Sequence, residues 1–428
     1  MNKFNEIMDR FSEKLQKFLA PLARFTGTNK YFNALRDAFV IQTGLLIAGS
    51  FALVLNIWIC GGSGLAGKPG LEWLANNSNV FSTINYVGVS CISLYTVMIL
   101  GYQIGKADGQ KPFITMLLAV SCFLIMLDPS NVGGNLGAQY LFLSFFVAFG
   151  SVGLYNLLMK NEKIKIKMPA GVPPMVADSF NGLIPTLIVL FLFGTIAGVI
   201  FANWGLYAND IIYKFIQLPF SNIVESYFGW LLITVLAQLL WWLGIHGNNA
   251  LRAISSPIAT AGLAENAELV AAGLTPTHWY TINFSHLFTS LGGSGQVIGL
   301  ALAILLFSKR KDHRQITKVS MPTVLCGIDE PLVFGLPIML NPTFLIPFIV
   351  SPVVCGTIGY FACKTGFLQN AFIRSVSGMP MFIQQWLGWN GQLSAMILLV
   401  VVIVVSTLIY APFVLVANRE KVEEDIED

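Results

Sequence analysis

The chain has 428 residues, of which 55% are hydrophobic and only 11% charged, with a mean hydropathy of +0.69. A soluble globular chain carries about 25% charge, so the composition excludes that class and points to a protein embedded in a bilayer. The net charge of +3 is small and scattered, which argues against nucleic acid as a partner.

An amphipathic helix is predicted first, over residues 1–30. Phe4, Ile7, Met8, Phe11, Leu15, Phe18, Leu19 and Leu22 recur at helical spacing, with Lys3, Asp9, Arg10, Glu13, Lys14 and Lys17 on the other faces. Such a helix lies on the inner membrane surface or packs its apolar face against protein. No unbroken apolar stretch precedes Ala34, so a cleaved signal peptide is not expected.

A span needs about 20 apolar residues to cross ~30 Å of hydrocarbon. Runs of full or marginal length follow at 33–60, 80–105, 113–127, 140–159, 181–202, 225–243, 295–307, 343–361 and 393–417. Basic residues cluster within 3–17, at Lys106 and Lys111, within 160–167 and 309–314, and at Arg419 and Lys421. Placed in the cytoplasm by the positive-inside rule, they put both termini inside and segments 61–79, 129–138 and 203–222 outside.

That parity fails twice. Between His246 and Lys309 both ends belong inside, and 316–341 has the same difficulty, so two re-entrant hairpins are expected, one containing 281–295 and the other 321–341. Residues 369–390 stay open between a third partial crossing and an outer loop. The expected fold is all-α: a polytopic membrane helix bundle of about ten transmembrane helices, with a scaffold half at 31–222, a second half carrying both hairpins at 223–418, and a cytoplasmic tail at 419–428.

The chemistry concentrates in three places. Within 325–341 the adjacent carboxylates Asp329 and Glu330 interrupt an apolar run. A central charge there costs roughly 2.5 to 3.5 kcal/mol, and residues retained at that cost face a cavity and handle substrate or ion. Gly327, Pro331, Gly335, Pro337 and Pro342 break the helix around them. At 241–249 a membrane helix ends in Trp241-Trp242-Leu243-Gly244-Ile245-His246-Gly247-Asn248-Asn249. Indole suits the apolar face of a pyranose, and imidazole and amides suit its hydroxyls. Taken singly, each Trp reads equally as an interface-belt residue and His246 as a packing residue. At 291–296, Gly293 and Ser294 sit where backbone amides approach a ligand closely, or where a hairpin merely turns.

His278 and His286 read as structural, and His313 as part of a solvated basic loop. The six cysteines are isolated in apolar surroundings, so neither a metal site nor a disulfide network is expected. The run from Cys60 lacks the Gly-Lys-Ser/Thr ending of a nucleotide loop. Physical chemistry alone leaves open a group-translocating sugar permease and an ion-coupled sugar symporter, because both require a buried carboxylate, a histidine and broken helices. A passive channel without a site is a third reading.

The W-W-x-G-I-H-G-N-N, G-G-S-G and G-I-D-E-P-L-x-F-G-x-P segments at 241–249, 292–295 and 327–337, with L-R-D-A-F at 35–39, resemble a known family across essentially the whole chain. It is enzyme IIC, the membrane component of the phosphoenolpyruvate-dependent sugar phosphotransferase system, in the lactose/cellobiose/diacetylchitobiose branch. The resemblance implies a homodimer in the bacterial cytoplasmic membrane, with the first half forming most of the dimer contact and the second binding a β-linked disaccharide such as cellobiose or diacetylchitobiose. It further implies rigid-body alternating access and phosphorylation of the sugar C6 hydroxyl by a phosphocysteine on a separate enzyme IIB. The reacting sugar then maps to Glu330, as general base, and to His246. Asp329 is expected to brace the broken helix. Substrate contacts are expected from Trp241, Asn248, Asn249, Gly293, Ser294 and Trp386, with Gln384, Gln385 and Asn390 nearby in sequence. The chain itself holds no phosphoryl carrier and calls for no cofactor or metal. The basic loops at 160–167 and 309–314 are the expected docking surface for the partner.

Overall fold

The computed structural model describes residues 28–418 except Ser63, Ala170, Gly244, Ile245, Pro337 and Leu340; the side chains of Pro174, Met175, Ser179, Asn249 and Ala253 are likewise outside the described set. The expected N-terminal amphipathic helix and the C-terminal tail at 419–428 lie outside the described residues. Among the described residues the regular structure is entirely helical.

Two compact units form, one from residues 28–223 with Ala267–Gly273, the other from Val224–Asn266 with residues 274–418. The first contains α1 (Lys30–Ile41), α2 (Thr43–Leu55), α3 (Ile92–Ala107), α4 (Pro112–Ile125), α5 (Leu141–Leu158) and α6 (Leu183–Trp204). Asn29 caps α1, its side chain accepting from the Tyr31 N–H at 2.9 Å. Helices α3 and α4 meet through small residues: a Cβ on Gly105 would lie 1.9 Å from Thr115 Oγ1, so only glycine permits this approach. Thr115 Oγ1 uses the proximity to donate to the Gly101 carbonyl at 2.8 Å. Along α6, by contrast, only 17% of an 18-residue apolar window is buried, and Phe191 is 73% exposed.

The second unit contains α7 (Tyr227–Trp242), α8 (Gly247–Ala271) as far as Asn266, α9 (Val297–Phe307), α10 (Lys311–Leu325), α11 (Glu330–Gly335), α12 (Pro342–Lys364), α13 (Met381–Gly388) and α14 (Leu393–Ala417). Glycines again set the closest packing. Gly299 of α9 leaves no room for a Cβ against Ser406 of α14, and Gly356 of α12 lies directly under the Trp230 indole.

Both segments expected to be re-entrant are broken helices. The first passes from a helical turn at Ile282–Phe284 through a π-turn at Ser285–Thr289 into backbone with φ of +77°, +124° and +69° at Gly292, Gly293 and Gly295. Tyr410 secures it by donating its hydroxyl to the Gly295 carbonyl at 2.6 Å. In the second, α10 stops at Leu325, the chain turns at Gly327 (φ +79°), and the one-and-a-half-turn α11 follows.

Leu368 and residues 371–375 are non-helical yet buried, a placement that demands partners for their backbone. Two asparagines supply them: Asn266 Nδ2 donates to the Ala371 carbonyl at 2.8 Å, and Asn283 Nδ2 to those of Ile373 and Gly388 at 2.9 and 2.7 Å. Among the described residues six helices are long and apolar enough to cross a bilayer, or up to eight if each of two bent pairs counts as one span. The sequence-based figure is about ten; α4, with 14 residues, is one of the apolar helices too short for that length criterion.

Candidate functional site

The second unit encloses a cavity of about 560 Å³. Helical periodicity builds two of its walls. From α7 come Trp230, Ile233, Thr234, Ala237 and Gln238, and from α8 Asn248, Leu251, Arg252, Ser255, Ser256 and Ala259, each set recurring every three or four residues along one face. The remaining walls come from broken backbone at Tyr280 to Ser294 and Cys326 to Glu330, and from Ser377 and Gly378 with Met381 and Gln384 at the start of α13.

At one end His246 Nε2 stands 3.8 Å from Glu330 Oε1, both side chains partly exposed to the cavity. That separation is too long for a direct hydrogen bond and admits a hydroxyl oriented by both groups. Trp241 packs behind the imidazole, with ring centroids 4.6 Å apart at 40°, and Phe334 of α11 packs against the indole at 5.9 Å.

A hydrogen-bonded chain knits the three loops at this end. Asn248 Nδ2 donates to Ser294 Oγ at 2.9 Å, and the Ser294 backbone N–H donates to Asp329 Oδ2 at 2.8 Å. Asp329 is only 5% exposed, and its carbonyl accepts from Leu332 and Val333 N–H at 3.0 and 2.9 Å, which starts α11. Gly293 makes the approach possible, since a Cβ there would fall 2.2 Å from that of Asp329. The two adjacent acids thus divide their work. Asp329 ties the broken elements together, and Glu330 presents a half-exposed carboxylate.

His246, Asn248, Gly293, Ser294 and Glu330 all line the cavity. Trp241 does not; at 2% exposure it supports His246 from behind. Trp386 is not brought to the cavity either. The inward face of α13 carries Met381, Gln384, Gln385 and Gly388, which leaves Trp386 on the opposite face, 44% exposed and over Gly391. The Asn249 side chain is outside the described residues. Gln384 lines the cavity, whereas Gln385 accepts from the Trp389 indole N–H at 3.3 Å.

Among the polar lining residues that carried no site assignment in the sequence are Gln238, Arg252, Tyr280 and His286. Arg252 had a usable signal, being the sole Lys or Arg between Lys214 and Lys309, set in apolar sequence. Gln238 is 1% exposed, and its Oε1 has no protein hydrogen-bond donor, leaving a buried acceptor in the cavity wall.

A model of the family described as phosphotransferase system, EIIC matches residues 36–352. The chain belongs to the EIIC family of the phosphotransferase system. Among relatives of this EIIC protein, the oligo-beta-mannoside-specific EIIC component of Bacillus subtilis (strain 168) is 28% identical, covering 94% of this chain and 92% of that one. The lactose-specific EIICB component of Streptococcus mutans is also 28% identical, over 97% of this chain and 73% of its own length. The crystal structure of the transporter ChbC, the IIC component from the N,N'-diacetylchitobiose-specific phosphotransferase system, superposes with a TM-score of 0.87. It shares 27% identity and covers 97% of this chain and 99% of its own. EIIC membership fixes the class as a sugar permease component integral to the membrane, and lends no support to an ion-coupled symporter.

Proposed function

We propose that this EIIC protein binds a β-linked disaccharide such as cellobiose or diacetylchitobiose in the 560 Å³ cavity, carries it across the bacterial cytoplasmic membrane, and presents its C6 hydroxyl to a phosphocysteine on a separate enzyme IIB. The observation that carries the reading is the His246–Glu330 pair, 3.8 Å apart in a cavity of mixed polar and apolar lining. In the reaction the P–S bond of the phosphocysteine breaks and a P–O bond to the sugar forms. Glu330 accepts the hydroxyl proton, and the thiolate departs on the partner. His246 orients the hydroxyl. Asn248 and Ser294 hold the surrounding backbone and offer further polar contacts.

Both termini face the cytoplasm in this reading, about ten crossings are made, and the broken segments 281–295 and 321–341 enter and leave from one side. The half at 223–418 moves as a rigid body against the scaffold at 31–222, which forms the homodimer contact. The little-buried apolar face of α6 supports that role. Enzyme IIB docks on the basic segments at 160–167 and 309–314, the second of which runs into the first turn of α10, where His313 is buried rather than in a solvated loop. The backbone N–H of Lys309 donates to Asn418 Oδ1 at 2.8 Å, which fixes the start of the second segment.

The test is uptake of radiolabelled cellobiose and diacetylchitobiose into vesicles, with phosphorylated enzyme IIB supplied or withheld inside. Sugar phosphate accumulating only with the partner supports the proposal; free sugar accumulating with an ion gradient contradicts it.

A further inference from the structure

The cavity is longer than a single sugar ring. Trp230 and Gln238 both line it from α7, and eight residues of α-helix separate them by about 12 Å. Gln238 adjoins the His246 end, because the Ala237 carbonyl lies against Gly247. Trp230 marks the other end, where Tyr280 and Ala259 also line the wall.

His286 enters on the Trp230 side. Arg374, next to the Ser375 that touches His286, donates to Thr260, the neighbour of Ala259. There His286 meets Gln384, both lining the cavity, with Gln384 Nε2 3.2 Å from His286 Nδ1. An amide NH₂ can only donate, so Nδ1 accepts and the imidazole carries its proton on Nε2. The pair is braced from behind. Ser375 Oγ lies 3.2 Å from the same Nδ1 and donates to Asn283 Oδ1 at 3.3 Å, while Asn283 is anchored on the Ile373 and Gly388 carbonyls.

We propose that His286 and Gln384 are specificity-determining residues that read the sugar ring not being phosphorylated. The inference rests on the reading that the cavity holds a disaccharide with its reacting hydroxyl at Glu330. The imidazole Nε2–H donates and the Gln384 carbonyl oxygen accepts. That complement fits a hydroxyl, which does both, or an acetamido group, whose carbonyl accepts and whose N–H donates. A one-ring sugar seated at Glu330 does not reach the pair.

Equilibrium titration of the purified full-length protein in lipid nanodiscs with cellobiose, diacetylchitobiose and methyl β-glucoside tests this. Gln384→Ala and His286→Ala are compared with wild type, and thermal unfolding identifies any variant that fails to fold; the other then decides. Losing one neutral hydrogen bond weakens binding of a disaccharide about five- to tenfold while the one-ring glycoside stays within about twofold. Loss confined to cellobiose identifies a hydroxyl as the group read, and loss confined to diacetylchitobiose an acetamido group. Unchanged disaccharide affinity, or an equal loss for methyl β-glucoside, overturns the assignment. A wild-type protein that binds none of the three sugars overturns the permease reading itself, and the assignment with it.

Discussion

Asp329 Oδ2 accepts a hydrogen bond from the Ser294 backbone N–H at 2.8 Å, joining two broken segments 35 residues apart. This contact sets the position of Glu330, the next residue and the first of α11. Its role is that of an acceptor, so the charge on Asp329 is dispensable and the oxygen is not. Asp329→Asn, which keeps an acceptor oxygen, retains phosphotransfer within a few-fold. Asp329→Ala leaves a buried N–H unsatisfied at about 1–3 kcal/mol and lowers phosphotransfer at least tenfold. Equal losses in the two variants would show that the charge itself acts.

Gly293 makes the same contact possible from the other side. Its φ is +124°, and a Cβ would fall 2.2 Å from that of Asp329. Gly293→Ala therefore forces the turn and the carboxylate apart. We expect a lower melting temperature and weakened sugar binding, measured together on the purified protein. A variant with wild-type stability and affinity would contradict this packing.

Trp241 separates a supporting role from a contacting one. Its ring lies 4.6 Å from that of His246 and is 2% exposed, so it supports the imidazole without lining the cavity. Trp241→Phe preserves disaccharide affinity within about twofold yet slows phosphotransfer about tenfold, because small misplacements at the reacting centre are costly. A parallel loss of affinity would instead put the indole on the sugar, as the sequence reading expected.

Away from the cavity, His278 lies between two carboxylates, with Nδ1 3.0 Å from Glu225 and Nε2 2.8 Å from Glu265. Burial alone would lower its pKa, but the hydrogen bonds to Glu225 and Glu265 outweigh it and raise the value from 6.5 to about 10. A group bound more tightly to its proton when folded stabilises fully below its unfolded pKa and ceases to do so as pH passes the folded value. Thermal stability should therefore decline between pH 6.5 and about 10, and His278→Gln should flatten that decline. Removing the cation with His278→Ala leaves two facing carboxylates and costs about 3 kcal/mol. Identical pH profiles for wild type and His278→Gln would remove this ion pair from the account.

The legible parts of the molecule were those where a residue's cost or period is local. Adjacent carboxylates in an apolar run announce a cavity wall, and the glycines and prolines around them announce broken backbone. The bracing role of Asp329 followed from its place at the break and is visible in its bond to Ser294. What escaped depends on distant partners. His286 becomes a cavity residue through Gln384, 98 residues away. Residues 371–375 could be buried without helix only because Asn266 and Asn283 satisfy the Ala371 and Ile373 carbonyls, a pairing no local pattern displays. Trp386 was ambiguous because α13 has eight residues, too few for composition to say which face turns inward.

The central claim is that Glu330 takes the sugar's hydroxyl proton during transfer, and single-turnover phosphotransfer from phosphorylated enzyme IIB to bound disaccharide tests it most directly. Glu330→Gln keeps the size and a polar side chain but lacks the basic carboxylate. The account predicts disaccharide affinity within about tenfold of wild type and a transfer rate lower by about 10²- to 10⁴-fold, the usual contribution of general base catalysis. Transfer at the wild-type rate in Glu330→Gln would contradict it.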